Sequence, residues 1–213
     1  MRGRATVPVL LAGILFVAVC VLGGIKLWPS SGPRLAVDLV AIVLYLAWLV
    51  VETWLASFRE LSLPAAPRDK GSCELYAISQ GTTVVLALLM PSDTGTVLGI
   101  VAFVLMVGGI TLRLSAVVTL GRFYSRRVRL LDDHRVVTTG PYRLVRHPAY
   151  LGTLAGHLGF ILVFAHWLPL VVWVGLYLPM VLRRIALEEP VLFELDGYAE
   201  YARQRQRLVP LVW

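Results

Sequence analysis

Thr96–Leu120 reads TVLGIVAFVLMVGGITLRLSAVVTL, a block apolar on nearly every face whose one charge is Arg113. About 20 such residues suffice to cross roughly 30 Å of hydrocarbon, and a helix without a polar face is a buried or membrane helix. Similar blocks stand before it at Val7–Leu27, at Leu35–Phe58 with Asp38 and Glu52 near its ends, and at Leu75–Met90. Val7–Leu27 follows Arg2 and Arg4 as a signal peptide would, but it is long and lacks a small-x-small cleavage site, so it reads as a retained first span. Pro29 to Pro33 makes a tight turn, Arg59 to Gly71 a polar loop with Pro64 and Pro67, and Ser72 is placed to cap the third span. A further apolar stretch, Ala149 to Leu182, is interrupted at His166, Trp167 and Pro169 and reads as a helical hairpin. Arg183 to Trp213 is polar and reads as helical to Gln206.

The predicted fold is therefore all-α: a polytopic membrane helix bundle of four spans plus a C-terminal hairpin, with a basic loop and a tail helix on the cytoplasmic side. Residues 1–120 supply the N-terminal spans and 121–213 the loop, the hairpin and the tail. Composition agrees, since 58% of the 213 residues are apolar and only 15% charged, against roughly a quarter charged in a soluble domain. The net charge of +7 does not point to nucleic acid, because the arginines gather at the ends of apolar blocks as the positive-inside rule requires. About six crossings put every basic segment on one side, so both termini are expected in the cytoplasm. Arginine far outnumbers lysine, which suggests a GC-rich genome and a bacterial cytoplasmic membrane. Cys20 and Cys73 lie far apart without metal spacing, so no metal site or disulfide framework is expected.

Polar groups that solubility does not explain concentrate after Gly121. Arg122, Arg126, Arg127, Arg129, Arg135, Arg143 and Arg146 face only Asp132 and Asp133. The run from Val136 to Gly152, VVTTGPYRLVRHPAYLG, reads as an extended segment, a Gly-Pro turn and a helix opening at Pro148. The amides of that first turn, with His147 beside them, suit an anion such as a carboxylate; an ordinary proline cap on a basic loop fits the same residues. Arg184 and Glu188 share a helix face and can enter one cavity, or form a surface ion pair. Arg113 is an intramembrane charge, either functional or snorkelling to the nearby interface. His157 is placed to pair with a neighbouring helix, and His166, Trp28, Trp167 and Trp213 to mark interfaces.

The pattern Gly140-Pro141-Tyr142, Arg146-His147-Pro148-x-Tyr150-x-Gly152, then Arg184-x-x-x-Glu188-Glu189-x-x-Leu192, resembles the isoprenylcysteine carboxyl methyltransferase family, which is related to phospholipid methyltransferases. Gly109-x-x-x-Arg113, Leu120-Gly121-x-Phe123, Asp69-x-Gly71-Ser72, Gly197-Tyr198-x-x-Tyr201 and Leu208-Val209-Pro210 extend the likeness. The resemblance implies an integral membrane methyltransferase that uses S-adenosyl-L-methionine and acts on a lipophilic small molecule or lipid-modified substrate. It implies donor contacts at His134, Arg135, Val136, Val137, Tyr142, His147, Pro148, Ala149, Tyr150 and Glu188, with Arg184 and Arg113 toward the substrate and Arg184 and Glu188 catalytic. Two departures stand out. A donor contact before His134 has no matching position, and Pro190 should kink the helix just after Glu189.

The residue chemistry suits such a reaction. Glu188 can serve an ammonium or ribose hydroxyls, His147 a carboxylate, and Tyr142 and Tyr150 an adenine or sulfonium. A carboxylate acceptor, with a pKa of about 4, needs no general base, and the Arg184 fork can hold it. Two alternatives remain: phospholipid N-methylation, and an NADPH-dependent sterol-reductase-like oxidoreductase. The latter is disfavoured by Gly152, Thr153 and Leu154, where that group carries an acidic residue. A membrane scaffold or transporter would spread its polar residues over several spans, and oligomeric state is not legible.

Topology is directly testable. Single cysteines at Arg127 and Gln204 are expected to react only with reagents that reach the cytoplasm; labelling of either by an impermeant external maleimide would reverse the orientation.

Overall fold

The structure, a computed structural model, describes residues 3–28, 32–60, 71–92, 95–125, 128, 130–131 and 133–209. The turn residues 29–31, loop residues 61–70 with Pro64, Pro67 and Asp69, and Arg2, Arg126, Arg127, Arg129, Asp132, Pro210 and Trp213 lie outside them. Four long helices follow one another: α1 (Gly3–Leu27), α2 (Gly32–Glu60), α3 (Ser72–Leu89) and α4 (Thr96–Leu120). A 3-10 turn at Gly121–Phe123, an irregular segment and a second 3-10 turn at Gly140–Arg143 lead to α5 (Pro148–Phe164). The return arm is α6 (Trp167–Val172), a π-helical turn (Trp173–Tyr177) and α7 (Leu178–Leu192), followed by the short α8 (Tyr198–Gln204). This is an all-helical polytopic membrane bundle.

Among the described residues, five helices are long and apolar enough to cross a membrane, Trp167–Leu192 counted as one. α5, with 17 residues, reaches about 25 Å at 1.5 Å per residue, short of the ~30 Å of hydrocarbon. The outward faces of α1 and α2 are apolar and uncovered (Ile14, Val17, Ile25, Val40, Val43, Val50), as lipid contact requires. Their inward faces bury Val19, Tyr45 and Trp48 against Met106, Phe160 and Phe164.

The hairpin forms where it was expected. Ala165 adopts a left-handed conformation at φ 47, and the His166 imidazole accepts the Leu168 amide at 3.2 Å.

Several local expectations need correction. Gly32 opens α2 with φ +60 rather than closing the preceding turn. Ser72 does not cap α3: left-handed Gly71 precedes the helix without a side-chain cap, and the Ser72 hydroxyl instead accepts from Arg184 at 3.2 Å. Pro190, expected to kink the helix after Glu189, lies inside α7, which runs on to Leu192 with the Phe193 amide bonded to the Glu189 carbonyl at 2.9 Å. The tail is not helical to Gln206. Turns at 193–197 and left-handed Gly197 (φ +82) separate α7 from α8, and Gln206 pairs as an isolated bridge with Val145.

α4 and α5 approach to backbone contact. A Cβ on Gly109 would overlap the backbone of Gly152 and Gly156; one on Gly152 would overlap that of Arg113, and one on Gly159 that of Met106. Small residues let membrane helices approach to backbone contact, where packing rather than water drives association. Gly108, one residue away, faces open space.

That difference supplies a matched test. Gly109→Ala is expected to cost roughly 1–3 kcal/mol through overpacking and to lower the thermal midpoint in detergent, while Gly108→Ala leaves it near the parent value. Equal midpoints would place the α4–α5 contact elsewhere.

Candidate functional site

α5 begins beside the end of α4 because of the glycine contact, so the intervening segment must fold back over both. Gly140, at φ +56 and pressed against Thr119, lets the Gly-Pro turn lie on α4. There Tyr142 packs with Ala116 and Ala149. Beneath this cover lies a cavity that runs from the 121–150 segment and the tail down among α1, α2, α3 and α5.

Arg113, His134, Arg135, Val136, Val137, Tyr142, His147, Ala149, Tyr150, Arg184 and Glu188 all line this one cavity. Pro148 does not: it is buried at the first position of α5. The Tyr150 amide is taken by the His147 carbonyl at 3.1 Å, which leaves fewer open amides there than the motif alone suggests.

On the α7 side, Arg184 and Glu188 meet through Tyr150. The Tyr150 hydroxyl donates to Glu188 Oε2 at 2.8 Å and accepts from Arg184 Nε at 3.3 Å. Arg184 is buried, bonds Ser72 and lies 5.4 Å from the Tyr76 ring centroid. An exposed surface pair is thereby excluded.

Arg113 does not snorkel. It is buried, grips Glu52 of α2 at 2.8 and 3.1 Å, and donates to Tyr124 Oη at 2.6 Å. His157 is held by Tyr45 Oη at 3.0 Å and by the Thr153 carbonyl at 2.8 Å, as a pairing residue.

Near the mouth, His134 stacks on Phe123 at 4.8 Å with 12° between planes. Burial pushes the His134 imidazole below its ordinary value against the opposing pull of Glu188 and Asp133, so the ring is neutral at pH 7. Burial likewise raises Tyr142, and pushes Tyr201 up to about 12, keeping both phenols protonated. Three polar atoms of cavity-lining residues are buried without a hydrogen-bond partner among the described residues: His134 Nδ1, Arg146 Nε and Tyr198 Oη.

The residue that sequence reasoning passed over is Glu189. Its carboxylate, 4% exposed as a residue, holds Arg146 at 2.7 Å, Arg207 at 2.8 Å and His147 at 3.3 Å. The adjacent backbones pair as well, Arg146 N to Gln206 O at 2.8 Å and His147 N to Arg207 O at 2.9 Å. Tyr201 Oη donates to the Tyr142 carbonyl at 2.8 Å. The tail is thus strapped across the segment that carries His147. The Glu188-Glu189 doublet was the available signal; Arg207 offered none. Among the described residues no His, Cys, Asp and Glu cluster could hold a metal ion.

Residues 100–194 match the isoprenylcysteine carboxyl methyltransferase family. An Oryza sativa subsp. indica protein named "Probable protein-S-isoprenylcysteine O-methyltransferase" is 33% identical over 116 residues, 53% of this chain and 61% of that protein. The Arabidopsis thaliana protein-S-isoprenylcysteine O-methyltransferase B is 31% identical over 108 residues, 49% of this chain and 55% of its own. The chain therefore spans about three fifths or less of the relatives' length. The solved structure of the eukaryotic intramembrane Ras methyltransferase aligns over 91% of this chain and 73% of its own, with TM-score 0.52 and 21% identity, which establishes a shared fold.

Glu189→Gln keeps the shape and removes the charge. Breaking a buried pair costs roughly 3–5 kcal/mol, and because Arg207 is 39% exposed the lower end applies. Amide exchange at Arg146 and His147 is expected to accelerate by about a hundredfold; unchanged protection would mean that backbone pairing alone holds the tail.

Proposed function

Taking residues 100–194 as a segment of the isoprenylcysteine carboxyl methyltransferase family, we propose that this integral membrane protein transfers a methyl group from S-adenosyl-L-methionine to a carboxylate of a lipophilic or lipid-modified acceptor. The observation that carries the reading is the Arg184–Tyr150–Glu188 chain, which places a cation and an anion side by side on one cavity wall.

The donor supplies an electrophilic methyl on a sulfonium, and the chain's residues fit its other groups. The unpartnered Arg146 Nε and Tyr198 Oη suit its carboxylate, to which a guanidinium and a phenol both donate. This moves the carboxylate from His147, whose imidazole is engaged by Glu189, and gives His147 the work of orienting the loop. Glu188 suits the ammonium or ribose hydroxyls, and the flat Phe123–His134 stack an adenine, with His134 Nδ1 as a polar contact. Val136, Val137 and Tyr142 close the pocket from the loop side. Methyl transfer is an in-line displacement, so catalysis is positioning and exclusion of water.

Toward the acceptor, Arg184 is a buried cation held by Tyr150, Ser72 and the Tyr76 ring. Such a cation attracts a carboxylate and repels an ammonium at these distances, which favours O-methylation over N-methylation. Arg113 borders the same space from α4. The mouth, formed by the arginine-rich loop and the tail, faces the cytoplasm together with both termini.

Purified protein in detergent is expected to bind S-adenosylhomocysteine in preference to NADPH, and the reverse order would overturn the assignment. Glu188→Gln should weaken S-adenosylhomocysteine about tenfold to a hundredfold, since a hydrogen bond to a charged group contributes about 1.5–3 kcal/mol. Arg184→Lys keeps charge but loses the fork, so donor affinity holds while turnover or acceptor KM suffers. The opposite split would exchange the two roles.

A further inference from the structure

Below Arg184 the cavity does not become a plain hydrocarbon slot. Its walls there include Leu11, Leu15 and Leu49, but also Tyr76 and Gln80 of α3. The hydrogen-bond directions around them are fixed. His157 Nδ1 meets the Thr153 carbonyl at 2.8 Å and must carry the proton, so Nε2 accepts from Tyr45 Oη at 3.0 Å. With its hydrogen spent, Tyr45 Oη accepts from Gln80 Nε2 at 3.3 Å. That leaves Gln80 Oε1, on a residue of the cavity wall, as an acceptor with no partner among the described residues. Tyr76 Oη accepts from Tyr177 Oη at 3.1 Å, and its own hydrogen has no acceptor among the described residues. One donor and one acceptor therefore border the cavity one helical turn apart on α3.

An all-hydrocarbon tail laid against these atoms would strip their water and offer nothing in return, which is costly for each group. A hydroxyl satisfies both, donating to Gln80 and accepting from Tyr76. Ser72, bonded to Arg184, Tyr76 and Gln80 follow at one-turn spacing, so the two groups lie about 6 and 12 Å further along the helix at 1.5 Å per residue. We propose that the preferred acceptor is a lipophilic acid with a hydroxyl in its apolar body, about 6–12 Å from the carboxylate, received by Tyr76 and Gln80. This deepens the methyl-transfer reading and rests on it for the carboxylate at Arg184.

The probes are hexadecanoate, 8-hydroxyhexadecanoate and 2-hydroxyhexadecanoate, titrated calorimetrically into the detergent-solubilised protein. A site built to bond a hydroxyl rejects the analogue lacking it; the 8-hydroxy acid is expected to bind at least about tenfold more tightly than either other acid. That preference should collapse toward parity in Gln80→Leu and in Tyr76→Phe, each checked for folding by its thermal midpoint. Equal binding of the three acids, binding of none, or a preference that survives both substitutions overturns the proposal. S-adenosylhomocysteine binding on the same preparation reports separately on methyl transfer, so failure of the acceptor inference and failure of that reading are told apart.

Discussion

The backbone contact between α4 and α5 is the constraint on which the rest depends. Gly109 lies against Gly152 and Gly156 with no room for a Cβ on either side, and this fixes where α5 starts relative to where α4 ends. Because α4 stops at Leu120 and α5 starts at Pro148, the 27 residues between them must fold back over that junction. Tyr142 then lands on Ala116 and Ala149, and the cavity is roofed.

Charge follows the same economy. In hydrocarbon an unpaired ion is expensive, and buried charges here find partners: Arg113 of α4 with Glu52 of α2, Asp38 with Arg34 one turn away on α2 itself, and Glu189 with Arg146 and Arg207. Lys26 finds the Met90 carbonyl at 2.6 Å at the end of α3. The Arg113–Glu52 and Lys26–Met90 bonds join elements that the apolar packing has already brought together. The contribution of the paired charges is to register and to holding the tail, where a loss of pairing would leave a carboxylate stranded.

The spans were legible because hydropathy is a property of each segment alone; Thr96–Leu120 came out with its observed limits. The gathering of Arg113, Tyr142, Tyr150, Arg184 and Glu188 on one cavity was also anticipated, from the spacing of Arg184 and Glu188 and from the family pattern. What escaped depends on partners distant in sequence. Ser72 has the propensity of an N-cap, but its hydroxyl is claimed by Arg184, 112 residues away. The break between α7 and α8 was not foreseen either: turns after Leu192 and left-handed Gly197 make it, where the sequence reads as helical to Gln206. Glu189 reads as a twin of Glu188 until the tail returns and Arg207 reaches it.

The Tyr150 hydroxyl is shared, giving its hydrogen to Glu188 and receiving one from Arg184. On the proposed roles, the two halves of the reaction therefore meet at a single oxygen. Whatever draws Glu188 toward a bound ammonium or ribose alters the hold on Arg184, and the effect must run equally in reverse, since a coupling free energy between two ligands is symmetric. Donor and acceptor affinities are then linked quantities, and occupancy by one sets the apparent strength of the other. If the proposed roles hold, one phenol at the head of α5 makes donor and acceptor thermodynamically aware of each other.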